Sequence, residues 1–228
     1  MTRRGLGEPL PVHDLADRYA KWHAEKVYEW EAGRPTYRLT SPDGSVRYVK
    51  LTPSTGRLHD EALRTRWALS WVRVPEVVEF GSDGDHDWLM TASLSGVDAS
   101  THPLRSSDPV ALVTAFAQGL RFFHDTVPVD ECPFWFPLSG ESTDLVVCHG
   151  DYVLPNAFLT GDVVTGYIDL GDLCVADRWL DLAVALRSLE QPYNLGPGYA
   201  DVFLAAYGVS LDSARAARWL SLYDAAFS

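Results

Sequence analysis

The sequence predicts an α+β protein with an N-terminal antiparallel sheet lobe that carries one helix and a mostly helical C-terminal lobe. Strand-like runs separated by turn residues fill the first third of the 228-residue chain, and helical patterns fill most of the rest. The change falls near the short polar piece "SGVDAS". We therefore expect an N-terminal lobe over residues 1–92, a hinge at 93–97 and a C-terminal lobe over 98–228.

The N-terminal lobe is predicted to contain an antiparallel sheet and one helix. "KVYEWEAG" alternates, and "RPTYRLTSPDGSVRYVKLT" has two β-rich runs around Pro-Asp-Gly, which favours a turn because proline presets φ and glycine accepts positive φ. These runs predict a meander that ends at Lys50. "LHDEALRTRWALSWV" is rich in helix formers and is stopped by Pro75. "PEVVEFGSDGDHDWLMTASL" then predicts two strands around "GSDGDHD".

The C-terminal lobe begins with a long amphipathic helix. From Asp108 to Thr126, apolar residues at 112, 113, 116, 120 and 123 form one helical stripe. "LVVCHG" and "VVTGYIDLG" are typical of short strands on either side of a loop. Three further helices are predicted in "RWLDLAVALRSLE", "GYADVFLAAYGV" and "DSARAARWLSLYDAAF".

Composition excludes several classes of function. The net charge of -12 disfavours nucleic-acid binding, since phosphates need a basic surface. An acidic surface can attract a cationic small molecule, but it also serves solubility alone, and the charge does not decide between the two. No apolar run is long enough to span a membrane, and no secretory signal is visible. The three cysteines form no CxxC pair and are expected to be buried thiols of a cytoplasmic protein. The oligomeric state stays open.

The stretch from 146 to 172 places an amide between two carboxylates. Asp151 and Asn156 lie on a loop after an apolar strand, and Asp169 follows the next strand. A strand-loop-strand hairpin would bring Asp169 back beside Asn156, where the two oxygens could bind one hard cation such as Mg²⁺. Asp151 would then orient an attacking hydroxyl or accept its proton, as in phosphoryl transfer. We expect His149 to pack and to form hydrogen bonds rather than to act as a base.

The spacing matches the protein-kinase pattern H-x-D-x-x-x-x-N followed by a strand and D-x-G. That chemistry also needs a lysine on the third strand of a small sheet, paired to a helix glutamate. Lys50 occupies such a strand, and Glu61 lies on the next helix. Asp60 and Glu76 remain alternative partners for Lys50.

At these residues the chain resembles the aminoglycoside phosphotransferases, specifically the 3′-phosphotransferase (kanamycin kinase) group. The resemblance rests on "VVCHGDYVLPNAFL", "VTGYIDLGDLCVADRWLDLAVALRSL", "ECPF", "VKLT" with "DEALR", and "DWLMTASLSGVDA", and it extends from about Tyr28 to Phe227. It implies an ATP- and Mg²⁺-dependent enzyme that phosphorylates a hydroxyl group of an aminoglycoside or related cationic antibiotic and so inactivates it. Antibiotic resistance, biosynthesis and self-protection stay open as its biological role.

The resemblance also implies roles for individual residues. Asp151 would be the catalytic aspartate, Asn156 and Asp169 the Mg²⁺ ligands, and Lys50 with Glu61 the phosphate clamp. "EAGRPT", with Gly33 as its one glycine, would cover the phosphates. Residues 90–94, among them Thr91 and Ser93, would contact the adenine through the backbone. Asp177 and Arg178 would support the catalytic loop.

Three departures from the family concern the acceptor. The helical insertion before "VVCHGD" is reduced to little more than "WFPLSGEST", aspartate follows "IDLG" where arginine is common, and two alanines interrupt the C-terminal acidic and aromatic residues. The residues expected to contact the acceptor are Asp144, Asp172, Arg187, Asp224 and Phe227. Glu190 and Asp201 are more readily explained as solvated carboxylates.

Two alternatives stay open at this point. A trimmed acceptor site would suit a sugar, an amino alcohol or a ketosamine in place of an aminoglycoside. A nucleotide-binding relative without turnover would suit a glycine-poor phosphate loop, although Lys50, Asp151, Asn156 and Asp169 are all present.

Overall fold

The structure, a computed structural model, describes residues 10–29, 31–138, 142 and 144–227. The chain divides into two compact units. Unit 1 holds the described parts of Met1–Arg66 and Pro75–Ser93, and unit 2 holds those of Trp67–Val74 and Leu94–Ser228. A five-stranded antiparallel sheet dominates unit 1, and most of the helical residues belong to unit 2, so the predicted α+β class is confirmed. The hinge at 93–97 stays a prediction.

The described residues form α-helices, short strands and two 3₁₀ turns. The helices are α1 (His13–Arg18), α2 (Arg57–Ala68), α3 (Leu104–Ser107), α4 (Pro109–Thr126), α5 (Trp179–Leu189), α6 (Ala200–Tyr207) and α7 (Ser213–Phe227), with 3₁₀ turns at Val129–Glu131 and Leu154–Asn156. The strands are β1 (His23–Glu29), β2 (Pro35–Thr40), β3 (Val46–Pro53), β4 (Val77–Ser82), β5 (His86–Ala92), β6 (Val97–Asp98), β7 (Leu145–Cys148), β8 (Ala157–Thr160), β9 (Val163–Tyr167) and β10 (Cys174–Asp177).

The sheet of unit 1 has the strand order β1-β2-β3-β5-β4, and every neighbouring pair is antiparallel. The predicted meander is present as β1 to β3, but β3 continues to Pro53 because Leu51, Thr52 and Pro53 still pair with β5. The two strands predicted around "GSDGDHD" are β4 and β5. Lys50 therefore lies on the middle strand of five, between β2 and β5.

The two faces of this sheet carry different apolar clusters, which fixes the direction of Lys50. Val49 and Leu51 are buried with Leu10, Val12 and Leu15 on the face that α1 covers. Side chains alternate between faces along a strand, so Lys50 points to the opposite side. That side carries Leu89, the partner of Lys50 in register, which is clustered with residues of α2.

Helix α2 ends earlier than the sequence predicts. It stops at Ala68, where the backbone N–H groups of Trp71 and Val72 both turn back to the Ala68 carbonyl. The prediction of a helix up to Pro75 was wrong because residues 67–74 belong to the core of unit 2, in which Val72 and Val74 are buried.

Helix α4 forms the centre of the core of unit 2. Asp108 caps its N-terminus by accepting the Ala111 N–H at 3.0 Å, and all five residues of the predicted apolar stripe are buried. The hydroxyl groups of Tyr152 and Tyr167 donate to the α4 carbonyls of Phe116 and Gly119. The 149–156 loop and the end of β9 are thus both hydrogen-bonded to this helix. No helix in the described residues is long and apolar enough to cross a membrane.

Candidate active site

A hairpin brings Asp169 back to Asn156. The strands are β8, which starts directly after Asn156, and β9, and they pair antiparallel. The sequence analysis had not identified β8. Beyond the hairpin the Ile168 N–H donates to the Asn156 carbonyl at 3.0 Å. Asp169 directly follows Ile168 and is therefore held close to Asn156, as the sequence predicted.

The Asn156 side chain binds Asp151 twice. Its Nδ2 donates to the backbone carbonyl of Asp151 at 2.9 Å and to Asp151 Oδ2 at 3.1 Å. Asn156 is buried, so both hydrogen bonds are sheltered from water. Because Nδ2 faces Asp151, the amide oxygen of Asn156 is turned away from it and can serve as a metal ligand.

Three carboxylates lie near one another at this loop. Burial raises the pKa of Asp151 to about 7, and the negative charges of Asp169 and Asp172 add to the effect. Gly150, with a φ of 89°, allows the close approach, since a Cβ on it would lie 2.1 Å from the Asp172 carbonyl oxygen. Crowded carboxylates of this kind are stabilised by a cation.

Asp169 has an unusual backbone conformation. Among the described residues other than glycine, it alone has a positive φ, 63°. Such a conformation costs roughly 1–3 kcal/mol and is concentrated at functional sites. An amide oxygen from Asn156 and a carboxylate from Asp169 are the hard ligands that Mg²⁺ prefers, so these residues fit the predicted metal.

Asp181 supports the loop, a role that the sequence analysis missed. Its fully buried carboxylate accepts the backbone N–H groups of His149 at 2.6 Å and Gly150 at 2.9 Å. The His124 ring also binds it at 2.9 Å, and the other ring nitrogen of His124 binds the Tyr207 hydroxyl. A charged residue inside the apolar run "WLDLAVAL" was the available signal, because such residues are rarely buried without partners.

His149 packs as predicted. It is fully buried, and its Nε2 lies 3.0 Å from the Ile168 carbonyl oxygen, which links the loop to the residue before Asp169. Burial lowers the pKa of His149 and so favours the neutral ring. The ring packs against the aromatic rings of Phe123, Tyr152 and Tyr167.

Asp177 and Arg178 were expected to support the catalytic loop, but their side chains bind the segment before β7 and helix α7. Asp177 accepts from Ser142 Oγ at 2.6 Å and from Arg215 Nε at 3.0 Å. Arg178 pairs with Asp144 at 2.6 Å. These contacts join the chain before β7 to α7, whereas the loop N–H groups are bound by Asp181.

Asp144, predicted to contact the acceptor, is bound by two arginines. Arg178 and Arg215 lie 2.6 and 3.1 Å from its carboxylate oxygens. Burial opposes the charged form, but the hydrogen bonds and charges of the arginines prevail and lower its pKa. The geometry supports a structural role for Asp144.

Helix α7 reaches Asp151 through a residue that the sequence analysis did not identify. The Tyr223 hydroxyl lies 3.4 Å from Asp151 Oδ1. The Arg187 guanidinium lies 5.1 Å from the centre of the Tyr223 ring and pairs with Asp224 at 2.6 Å. Of the predicted acceptor residues, Asp172 thus lies near Asp151, and Arg187, with its partner Asp224, lies against Tyr223. The side chain of Phe227 lies outside the described part.

In unit 1, Lys50 and Glu61 form the predicted pair. Lys50 Nζ lies 2.7 Å from Glu61 Oε1, and Glu61 is buried. Glu61 shares the inner face of α2 with Leu58, Ala62 and Thr65, as the helical spacing requires. The alternatives Asp60 and Glu76 are both exposed, and Asp60 is 3.9 Å from Arg64.

The other predicted nucleotide contacts lie along the same sheet. Gly33 lies in the turn between β1 and β2 with a φ of 84°, and its N–H donates to Glu29. Thr91 pairs with Tyr48 in β3, and the Ser93 N–H donates to the Val46 carbonyl at 3.3 Å. The Ser93 N–H is therefore already used within the sheet.

A cavity of about 600 Å³ lies elsewhere in unit 2. It is lined by residues 69–73, by one side of α4 and by β9 with its preceding turn. None of its lining residues is a predicted site residue, so we locate the site from the carboxylates and not from this cavity.

The chain is similar in sequence and in fold to known phosphotransferases. A family model described as "Phosphotransferase enzyme family" matches residues 135–220. An aminoglycoside 3′-phosphotransferase of Streptomyces ribosidificus is 34% identical over 237 residues, covering 82% of this chain and 88% of the relative. The crystal structure of a type VIII aminoglycoside 3′-phosphotransferase is similar with a TM-score of 0.79 and 27% identity, covering 94% of this chain and 97% of that one.

A second solved structure, an aminoglycoside phosphotransferase from Streptomyces rimosus in complex with ADP and streptomycin, has a TM-score of 0.74 and 24% identity over 94% of this chain and 96% of that one. At that identity the likeness concerns the fold. Together the two structures confirm the predicted kinase-like fold.

Proposed function

The chain belongs to the aminoglycoside phosphotransferase family, and we propose that it transfers the γ-phosphate of ATP to a hydroxyl group of an aminoglycoside. The observation that carries the proposal is the arrangement around Asp151. Its carboxylate is bound by Asn156 on one oxygen and lies beside Asp169 and Asp172. This arrangement suits a group that orients a hydroxyl nucleophile and accepts its proton.

Asn156 and Asp169 would hold Mg²⁺, through the amide oxygen of one and the carboxylate of the other. The hairpin that joins their backbones and the strained φ of Asp169 support this assignment. When bound, the ion supplies charge neutralisation at the phosphate oxygens. Lys50, fixed by Glu61, binds phosphate oxygens of the nucleotide. Phosphoryl transfer needs mainly positioning and charge stabilisation, and these fixed side chains supply both.

The acceptor site favours a cation. Asp172 lies near Asp151, and Arg187, the one predicted acceptor residue with a positive charge, is paired with Asp224. Carboxylates bind ammonium groups through charge-assisted hydrogen bonds, so the amino groups of an aminoglycoside are suitable partners. Resistance to such antibiotics, exerted in the cytoplasm, is the biological role that we propose.

The test is transfer of phosphate to a panel of acceptors. Purified protein is incubated with Mg·ATP and an aminoglycoside that carries a 3′-hydroxyl, and its matched control is the 3′-deoxy analogue. ADP release and the mass of the product are both measured. We expect phosphorylation of the first compound and little or none of the second.

Other results would redirect the proposal. Phosphorylation only of sugars, amino alcohols or ketosamines would keep the chemistry and replace the acceptor. Nucleotide binding without acceptor-dependent ADP release would identify a relative without turnover. Equal phosphorylation of the 3′-hydroxyl compound and its 3′-deoxy analogue would place the reaction at another hydroxyl group.

A further inference from the structure

Tyr223 on α7 contacts the catalytic-loop aspartate at the carboxylate oxygen that the Asn156 side chain does not bind. Its hydroxyl is 3.4 Å from Asp151 Oδ1, whereas Asn156 Nδ2 is 3.1 Å from Asp151 Oδ2. The two oxygens of one carboxylate are thus each contacted by a different element. A carboxylate that is bound at both oxygens cannot rotate freely about its Cβ–Cγ bond.

Tyr223 is itself held in place. Arg187 on α5 covers its ring at 5.1 Å from the centroid, and Arg187 is anchored by the ion pair with Asp224. Burial raises the pKa of Tyr223, and the charges of Asp151 and Asp172 add to that effect. The phenol therefore stays protonated at neutral pH and donates its hydrogen to Asp151.

We propose that Tyr223 is a positioning residue for phosphoryl transfer, one that fixes the plane of the Asp151 carboxylate so that Oδ1 faces the acceptor hydroxyl. This inference rests on the proposed function. Each carboxylate oxygen can accept two hydrogen bonds, so the Tyr223 hydroxyl leaves one lone pair of Oδ1 for the acceptor. Small errors in such an alignment lower the rate strongly, because the reacting groups must be held in a near-attack geometry.

Helix α7 then has a second role, at the acceptor site. The ring of Tyr223 stands next to the oxygen that would receive the acceptor, so it forms one wall of the acceptor site. The sequence "LYDAAF" then has two functional positions on one helix: Tyr223 orients Asp151, and Asp224 neutralises Arg187.

The test is Tyr223→Phe, which removes the hydroxyl and keeps the ring under Arg187. Tyr193→Phe is the matched control, because Tyr193 is an exposed tyrosine of the same unit. We expect Tyr223→Phe to lower kcat for the acceptor about tenfold, the usual order for one hydrogen bond to a charged group. The KM for ATP and the thermal midpoint should match those of the control.

Two results of this comparison would overturn the proposal. One is a kcat within twofold of the Tyr193→Phe value. The other is a fall in kcat that comes with an equally clear loss of thermal stability or of ATP affinity, since a packing role alone would produce it.

A crystal structure separates this inference from the proposed function. If the wild-type chain phosphorylates no acceptor, the proposed function fails, but wild-type and Tyr223→Phe structures still decide the role of Tyr223. A rotated Asp151 carboxylate in the variant supports the proposal, and an unmoved carboxylate contradicts it.

Discussion

Asp181 binds the backbone N–H of His149 at 2.6 Å, although 32 residues separate the two in sequence. The same carboxylate binds the Gly150 N–H, so α5 fixes the two residues that precede Asp151. Asp181 has no exposed surface and is hydrogen-bonded to His124 as well. The position of Asp151 is therefore set by a helix that does not contain it.

Asp181→Ala should destabilise the protein and abolish turnover. The change leaves two buried N–H groups and the His124 ring without their acceptor, and breaking a buried network of this kind costs about 3–5 kcal/mol. Urea unfolding measures the loss. Asp201→Ala, at an exposed carboxylate on α6, is the control and should stay within about 0.5 kcal/mol of wild type. Equal unfolding free energies for the two variants would show that Asp181 does not support the loop.

Lys50→Ala should weaken the use of ATP. It removes the cation that we assign to the phosphates and breaks the 2.7 Å ion pair with the buried Glu61 carboxylate. We expect kcat/KM for ATP to fall about 10- to 100-fold, as for the loss of one hydrogen bond between charged groups. Lys21→Ala, at an exposed lysine of the same unit, should change neither constant. An unchanged KM and kcat for ATP in Lys50→Ala would show that Lys50 does not bind the nucleotide.

Asn156→Ala should raise the Mg²⁺ concentration at which ATP binding is half-maximal. The variant loses the amide oxygen that we assign to the ion, and a lost ligand weakens a Mg²⁺ site directly. Titration of ATP binding against Mg²⁺ measures the effect. Asp151→Asn is the comparison, because Asp151 orients the acceptor and is not assigned to the metal. A similar shift in both variants, or none in Asn156→Ala, would contradict the division of roles.

Asp144→Asn should reduce stability at neutral pH and leave the acceptor KM unchanged. The arginines hold the pKa of Asp144 below its ordinary value of 3.8, so the native state binds this proton less readily than the unfolded chain does. The ion pairs therefore stabilise the fold above pH 4, by roughly 1 kcal/mol or less for a partly exposed site, and this contribution is lost as the pH falls through the native pKa. Unfolding curves at several pH values should converge for wild type and variant in acid. A raised KM for the acceptor in Asp144→Asn would show that Asp144 contributes to acceptor binding.

The local elements were predictable because their signals are local. The apolar stripe of α4, the turn at Pro-Asp-Gly and the strand of Lys50 all follow from periodicity or turn chemistry within a short window. The candidate nucleotide and metal residues were predictable for the same reason, since each lies in a recognisable strand, helix or loop. They are Lys50, Glu61, Asp151, Asn156 and Asp169.

The contacts that set the site were not predictable in the same way. Tyr223 meets Asp151 across 72 residues, and Arg215 meets Asp144 across 71. Neither spacing leaves a periodic trace, so the sequence analysis assigned Asp144 to the acceptor and passed over Tyr223. The early end of α2 was missed because residues 67–74 pack in the second core, and such packing overrides helix propensity.

The most direct measurement is acceptor-dependent ADP release from Mg·ATP by wild type, Asp151→Ala and Asp162→Ala, with ATP binding measured on all three. Asp162 is an exposed carboxylate in the turn of the β8–β9 hairpin and serves as the control. We predict release by wild type and Asp162→Ala, and a fall of about a hundredfold or more in Asp151→Ala, since a positioned base contributes at least that much. ATP binding should persist in all three. Substantial phosphorylation of an aminoglycoside by Asp151→Ala would contradict the central role of Asp151.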